Sequence, residues 1–170
     1  MIRICVFILA FVPTSVFAEP FSFPSSELPV GPRVKLSALV DRDFAYPGDH
    51  FKLYLSVQIE EGWHIYSLQP MQGNELLATR IKLEDNFFAS KKHWHESPTH
   101  LIRDDAQQKM VKGHINTAEF NKSFRVPQGF DPGNYLIKGV LVYKACDNTL
   151  CTLPKSLPFS SRVQIRKRDS

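Results

Sequence analysis

Cys146 and Cys151 lie in the run Tyr143-Lys144-Ala145-Cys146-Asp147-Asn148-Thr149-Leu150-Cys151-Thr152-Leu153-Pro154. A β-rich segment leads into Cys146, Asp147 and Asn148 are turn formers, and Cys151 falls on the returning arm. This brings two thiols side by side at the end of a hairpin, near a loop tip. A disulfide here closes a loop of about six residues and contributes roughly 2 kcal/mol through loop entropy. A staple for a larger fold would join distant strands instead, and short near-surface disulfides are more often exchange-competent. Spacing alone leaves two readings open: a pair that cycles between dithiol and disulfide, or a local hairpin clip. In the first, a thiolate attacks one sulfur of a partner's disulfide, a mixed disulfide forms, and the second thiol resolves it. Tyr143 and Lys144 are candidates to shape such a site, Lys144 by favouring a thiolate electrostatically.

Other residue groups invite chemistry less strongly. In Gly62-Trp63-His64-Ile65-Tyr66-Ser67, strand geometry sends Trp63 and Ile65 to one face and His64 and Tyr66 to the other. The plain reading is a core face and a face against neighbouring strands. His93 and His95 share a strand face and have the donors for zinc or copper. Lys91 and Lys92 beside them disfavour a cation, so the segment reads as a solvated loop, and no metal or other cofactor is expected. Asp104-Asp105 reads as a helix-start or turn feature. No nucleophile elbow and no glycine-rich phosphate loop is present.

The N-terminus sets the expected compartment. Arg3 precedes an apolar run, Ile4 to Val12, too short to span a bilayer. Pro13, Thr14 and Ser15 break it, and Val16-Phe17-Ala18 suits a signal peptidase. Residues 1–18 are therefore expected to be a secretory signal peptide, removed together with Cys5. The two remaining cysteines enter an oxidising compartment without leaving an odd thiol. No later stretch is apolar enough to cross a membrane. The formal net charge is +4, much of it from the basic end at Arg162 to Arg168. Without a long Lys/Arg stripe interleaved with aromatics, nucleic acid is not expected as a partner.

The elements that must position the cysteines have a period of two. Residues 19–32 are Pro- and Ser-rich and read as an irregular lead-in. Val34, Leu36, Ala38 and Val40 alternate with polar or small residues, and Phe51, Leu53, Leu55, Val57 and Ile59 do so more cleanly. Ile81 and Leu83, the stretch from Ile115 to Val126, the run from Tyr135 to Ala145, and Leu157 to Ile165 continue the series. Turn signals separate them at Pro47-Gly48-Asp49, Pro127-Gln128-Gly129 and Asp131-Pro132-Gly133. The best helical candidate, Asp104 to Lys112, has weak periodicity. One domain over residues 33–166 is expected, an all-β, immunoglobulin-like antiparallel β-sandwich, with a basic and polar tail at 167–170.

The cysteine run, together with Gly62-Trp63-His64-Ile65-Tyr66-Ser67 in the right order, resembles the N-terminal periplasmic domain of the thiol:disulfide interchange protein DsbD. Pro47-Gly48-Asp49 and Asp131-Pro132-Gly133-Asn134-Tyr135 fit the same plan, and the likeness runs from about Val34 to Ile165. The resemblance implies an immunoglobulin-like sandwich whose cysteines relay electrons in the periplasm. They come from a membrane-embedded thiol donor by way of a thioredoxin-like domain. They pass on to periplasmic disulfide isomerases or cytochrome c maturation proteins. It further implies that Cys151 forms the mixed disulfide and Cys146 resolves it. His64 and Tyr66 are implied to border the hairpin. The family's full-length proteins continue into membrane helices and a thioredoxin-like domain, whereas this sequence stops at Ser170, so a separate protein is expected as donor. Its known members shield the cysteines with an aromatic-bearing cap loop. The matching region, Lys109-Met110-Val111-Lys112-Gly113, has no aromatic residue and leaves Met110 and Val111 as the apolar candidates for a lid. The alternative function is a non-catalytic binding module with a structural disulfide.

Overall fold

The computed structural model describes residues 31–168 except 85–86 and 91–92. The expected signal peptide, most of the lead-in, Lys91, Lys92 and the end of the tail lie outside the described residues. Gly31–Ser170 make up one compact unit. Among the described residues there are twelve strands, in chain order β1 (Val34–Val40), β2 (Phe44–Ala45), β3 (His50–Ile59), β4 (His64–Tyr66), β5 (Arg80–Leu83), β6 (His95–Glu96), β7 (His100–Asp104), β8 (Lys109–Ile115), β9 (Thr117–Arg125), β10 (Gly133–Tyr143), β11 (Ala145–Cys146) and β12 (Lys155–Ile165). The sole helical element among them is one short 3-10 turn, Glu75–Leu77. No described helix is long and apolar enough to cross a membrane.

Strict alternation builds the sandwich. Every second residue of β3, from Phe51 to Ile59, is buried, and the residues between are exposed. Antiparallel pairing with β9 sets Leu55 opposite Phe120 and Phe51 opposite Phe124, giving the sheet order β1-β3-β9-β6. The second sheet, β2-β12-β10-β5, contributes Ile137, Leu141, Phe159, Val163 and Ile165 to the same core. Each such side chain stabilises the fold by about 1.5–3 kcal/mol when taken from water. Gly139 has no room for a side chain: a Cβ there would stand 2.5 Å from the Lys82 carbonyl oxygen and 2.6 Å from the Phe159 ring. The architecture is the expected immunoglobulin-like β-sandwich.

A third sheet, β11-β4-β8-β7, carries the cysteine hairpin, and here the structure departs from the expected helix between Asp104 and Lys112. That segment is a hairpin of β7 and β8, with Ile102 opposite Val111. Asp104 Oδ1 accepts the Gln107 backbone N–H at 2.9 Å, and Gln108 takes a left-handed φ of 53°, which reverses the chain. The region expected to form a cap loop is therefore a paired strand. Val111 is buried in a small cluster with Tyr66, Leu77 and Cys146, whereas Met110 is 41% exposed. Gly113 lets β8 approach β4 closely, since a Cβ would lie 2.5 Å from the Ile65 carbonyl oxygen.

Candidate functional site

β4 is the element on which the site is assembled. It pairs with β11, setting His64 opposite Cys146, and with β8, setting Tyr66 opposite Gly113. All three of its residues are buried, so His64 and Tyr66 have left water and require polar partners. Glu96 on β6 fixes the end of this strand. Its carboxylate accepts the Ser67 hydroxyl at 2.6 Å, the Leu68 backbone N–H at 2.9 Å and a bond from His114 Nε2 at 3.0 Å. Burial pushes the Glu96 carboxyl up, but the bonds from His114, Ser67 and Leu68 outweigh it and hold the group below its ordinary range.

The cysteine hairpin is held by its own hydrogen bonds. Asp147 Oδ1 accepts the backbone N–H groups of Leu150 and Thr149 at 2.8 and 2.7 Å and the Thr149 hydroxyl at 2.9 Å. The N–H groups of Leu150 and Thr149 hold the Asp147 carboxyl below its ordinary range. The Asp147 N–H returns a bond to the Leu150 carbonyl, and Thr152 N–H one to the Ala145 carbonyl. The Thr152 hydroxyl closes the arm by accepting the Ala145 N–H at 3.1 Å. Within this frame Cys146 and Cys151 form a disulfide. The pair is less superficial than its place in a turn suggests: Cys146 is 0% exposed, and Cys151 alone is partly open.

A single hydroxyl links the sulfurs to a buried carboxylate. Tyr66 Oη lies 2.7 Å from Cys146 Sγ, 3.7 Å from Cys151 Sγ and 2.5 Å from Asp104 Oδ2. Asp104 is 1% exposed, and its Oδ2 also meets His64 Nε2 at 3.3 Å. Gln107 Nε2 donates to Cys151 Sγ at 3.3 Å. Burial first, and then the neighbouring Asp104, push the Tyr66 phenol far above its ordinary pKa. Tyr66 therefore stays a neutral hydroxyl that donates to Asp104 and turns a lone pair toward Cys146.

Of the residues expected from sequence, Cys146, Cys151, His64, Tyr66 and Val111 come together here. Tyr143 is buried in the main core instead, where burial raises its phenol pKa. Lys144 is partly buried between β10 and β11. Among the described residues neither forms a hydrogen bond to a sulfur. Met110 stays outside the apolar cluster around Cys146. Asp104 and Gln107 were not expected at the site; Asp104 does hold a turn, but its other oxygen serves Tyr66. The Asp104-Asp105 doublet offered no signal as to which carboxylate is buried. His93 and His95 are both exposed, and His114 bonds Glu96 rather than joining them. A surface groove lined by Asp41, His50, Phe51 and Arg125 shares no residue with the sulfur site.

A family model described as thiol:disulfide interchange protein DsbD, N-terminal, matches residues 36–160. No curated protein matches the chain. Among solved structures, the chain is similar to the N-terminal periplasmic domain of ScsB from Proteus mirabilis, at 21% identity and a TM-score of 0.46, over 74% of this chain and 44% of that one. It is also similar to a family 123 glycoside hydrolase from Clostridium perfringens, at 11% identity and a TM-score of 0.40, over 78% and 27%. BslA, a bacterial hydrophobin, matches at 8% identity and a TM-score of 0.38, over 79% and 96%. The chain thus spans less than half the length of the ScsB domain chain.

Proposed function

The chain belongs to the family of the N-terminal domain of the thiol:disulfide interchange protein DsbD, and on that premise we propose that it is a periplasmic thiol–disulfide relay working through Cys146 and Cys151. The observation that carries the reading is the Asp104–Tyr66–Cys146 chain of contacts beside a disulfide whose other sulfur is partly open. A clip has no use for a buried proton acceptor at its sulfur, whereas an exchanging pair gains from one.

The greater exposure of Cys151 than of Cys146 supports one order of steps. In the dithiol state Cys151, the reachable sulfur, attacks a partner's disulfide as thiolate, with Gln107 Nε2 donating to it. A mixed disulfide forms and one partner sulfur leaves as thiolate. The Cys146 thiol then passes its proton toward Asp104 through Tyr66. Its sulfur attacks Cys151 Sγ, the intramolecular disulfide closes, and the partner leaves as a dithiol. Two electrons have moved to the partner, whose two thiolates take up protons from solvent, matching the one Cys151 gave up on becoming a thiolate and the one Asp104 releases. Tyr66 and Asp104 act here as general-base machinery, an arrangement that contributes roughly 10²–10⁴-fold in rate. Leu150 and Leu153, exposed beside Cys151, supply an apolar rim for a protein partner.

In this reading the chain is exported and takes electrons from a membrane thiol donor through a thioredoxin-like domain. It passes them to periplasmic disulfide isomerases or cytochrome c maturation proteins. The test is the reduction potential of the Cys146–Cys151 bond in defined dithiol/disulfide buffers. A value of roughly −180 to −270 mV fits a relay, and one below roughly −300 mV marks a structural bond and ends the proposal. Cys146→Ser is then expected to trap partners as mixed disulfides on Cys151.

A further inference from the structure

The relay needs the sulfurs, Tyr66 and Asp104; it gives no task to the imidazole of His64. His64, Asp104 and Cys146 each offer one donor atom, all buried and all within 4.8 Å of one another. Nε2 of His64 and Oδ2 of Asp104 already stand 3.3 Å apart. Cys151 Sγ, 3.7 Å from the same Tyr66 hydroxyl that touches Cys146 Sγ, becomes a fourth donor once the disulfide opens. Two thiolates, an imidazole and a carboxylate are a ligand set for zinc. Tetrahedral zinc holds sulfur at about 2.3 Å and nitrogen or oxygen at about 2.0–2.2 Å, which spaces neighbouring donors about 3.3–3.8 Å apart. Among His64, Asp104 and Cys146 the widest gap is at most 4.8 Å and must close by only about 1 Å.

We propose that the reduced protein binds one zinc ion through Cys146 Sγ, Cys151 Sγ, His64 Nε2 and Asp104 Oδ2, and that the disulfide form excludes it. This inference rests on the relay reading, since it requires the pair to open. The step involves no change in oxidation state. Both thiols lose their protons to solvent, His64 binds as the tautomer that carries its proton on Nδ1, two sulfur–zinc bonds and one bond each from Nε2 and Oδ2 form, and the ion sheds the waters that these ligands replace. Asp104 turns from Tyr66 to the cation, and the Tyr66 hydroxyl donates to a thiolate sulfur. Partly open Cys151 marks the entrance. With both sulfurs bound to zinc, neither is free to attack a disulfide, so the ion stops exchange while it is held.

The test is a zinc titration of the whole protein against a chromophoric chelator, after reduction with dithiothreitol, removal of the reductant without oxygen, and a thiol count. The reduced protein is expected to take one equivalent and the oxidised protein none. Cobalt is expected to give sulfur-to-metal charge-transfer absorption and the intense visible bands of a tetrahedral site. Asp104→Asn and His64→Gln, checked for native circular dichroism, are each expected to weaken zinc at least tenfold, and the double variant His93→Ala/His95→Ala to leave it unchanged. Equal binding in both redox forms, no binding by a protein with two counted thiols, or affinity unmoved in both Asp104→Asn and His64→Gln overturns the site. If His64→Gln does not fold, Asp104→Asn and the cobalt spectrum decide. A bond that stays closed in dithiothreitol sinks the relay and the zinc site together, whereas two free thiols without zinc binding sink the zinc site alone.

Discussion

The Tyr66 hydroxyl meets Asp104 on one side and Cys146 on the other, so in the proposed relay these three residues make one proton path, and removal of any link is expected to interrupt the same step. Tyr66→Phe and Asp104→Asn are each expected to slow the oxidation of the dithiol form by a model disulfide by roughly 10²-fold. The double variant should be no slower than the worse single one, as for residues acting as a unit. Stopped-flow rates measure this, and losses that multiply would show that the two act separately. The two sulfurs also differ in reach. Iodoacetamide applied briefly to the reduced protein is expected to label Cys151 well before Cys146, which is wholly buried in the disulfide form; peptide mass spectrometry would read the order, and equal labelling would remove the assignment of roles. The cysteines were legible as a pair because both fall in one hairpin, although spacing alone left exchange and a local clip both open. Asp104 was not, because nothing in its neighbours separates a carboxylate that serves a buried hydroxyl from Asp105, which lies in a turn.

The third sheet differs from the sandwich in how it was written. β3 and β12 alternate strictly, so hydrophobic period alone placed them. β7 and β8 expose Leu101 and Met110 and bury His114 and Gly113, which blurs the period and made Asp104 to Lys112 look helical. The close contact of Gly113 with the Ile65 carbonyl gives this sheet its own test. Gly113→Ala is expected to destabilise the protein by about 1–3 kcal/mol through overpacking and to slow exchange, because it pushes on the strand that carries Tyr66. Gly139→Ala, which overpacks the sandwich, should cost a similar amount of stability and leave the reduction potential unmoved. Denaturant titration and redox equilibration separate the two, and a changed potential in Gly139→Ala would break the distinction. Glu96 ties β4 to the first sheet, and its carboxyl is held below its ordinary range. Its contribution to stability is therefore full above the ordinary glutamate pKa and is lost as pH falls through the lowered folded value. Glu96→Gln should flatten the acid limb of the stability curve.

The main core and the disulfide contribute unequally to the whole fold. Leu55, fully buried between β1 and β9, is expected to cost about 2–5 kcal/mol on change to Ala. Cys146→Ser with Cys151→Ser removes a cross-link over a short loop worth roughly 2 kcal/mol. Thermal unfolding should rank the leucine variant below the cysteine one, and the reverse order would make the bond a structural staple. The sandwich was readable at this level because its pattern repeats along the chain, while the site joins His64, Asp104 and Cys146 from distant stretches, which no local pattern records. The hydrogen bonds that Asp147 and Thr152 make inside the hairpin have a consequence for traffic. None of them involves a sulfur, so the charged and spent forms are expected to present the same outline to anything that docks. A visiting protein then has no shape by which to choose between them and must test the sulfur itself. Many encounters will end without transfer, and the ratio of dithiol to disulfide chains in the compartment, rather than affinity, will set the throughput.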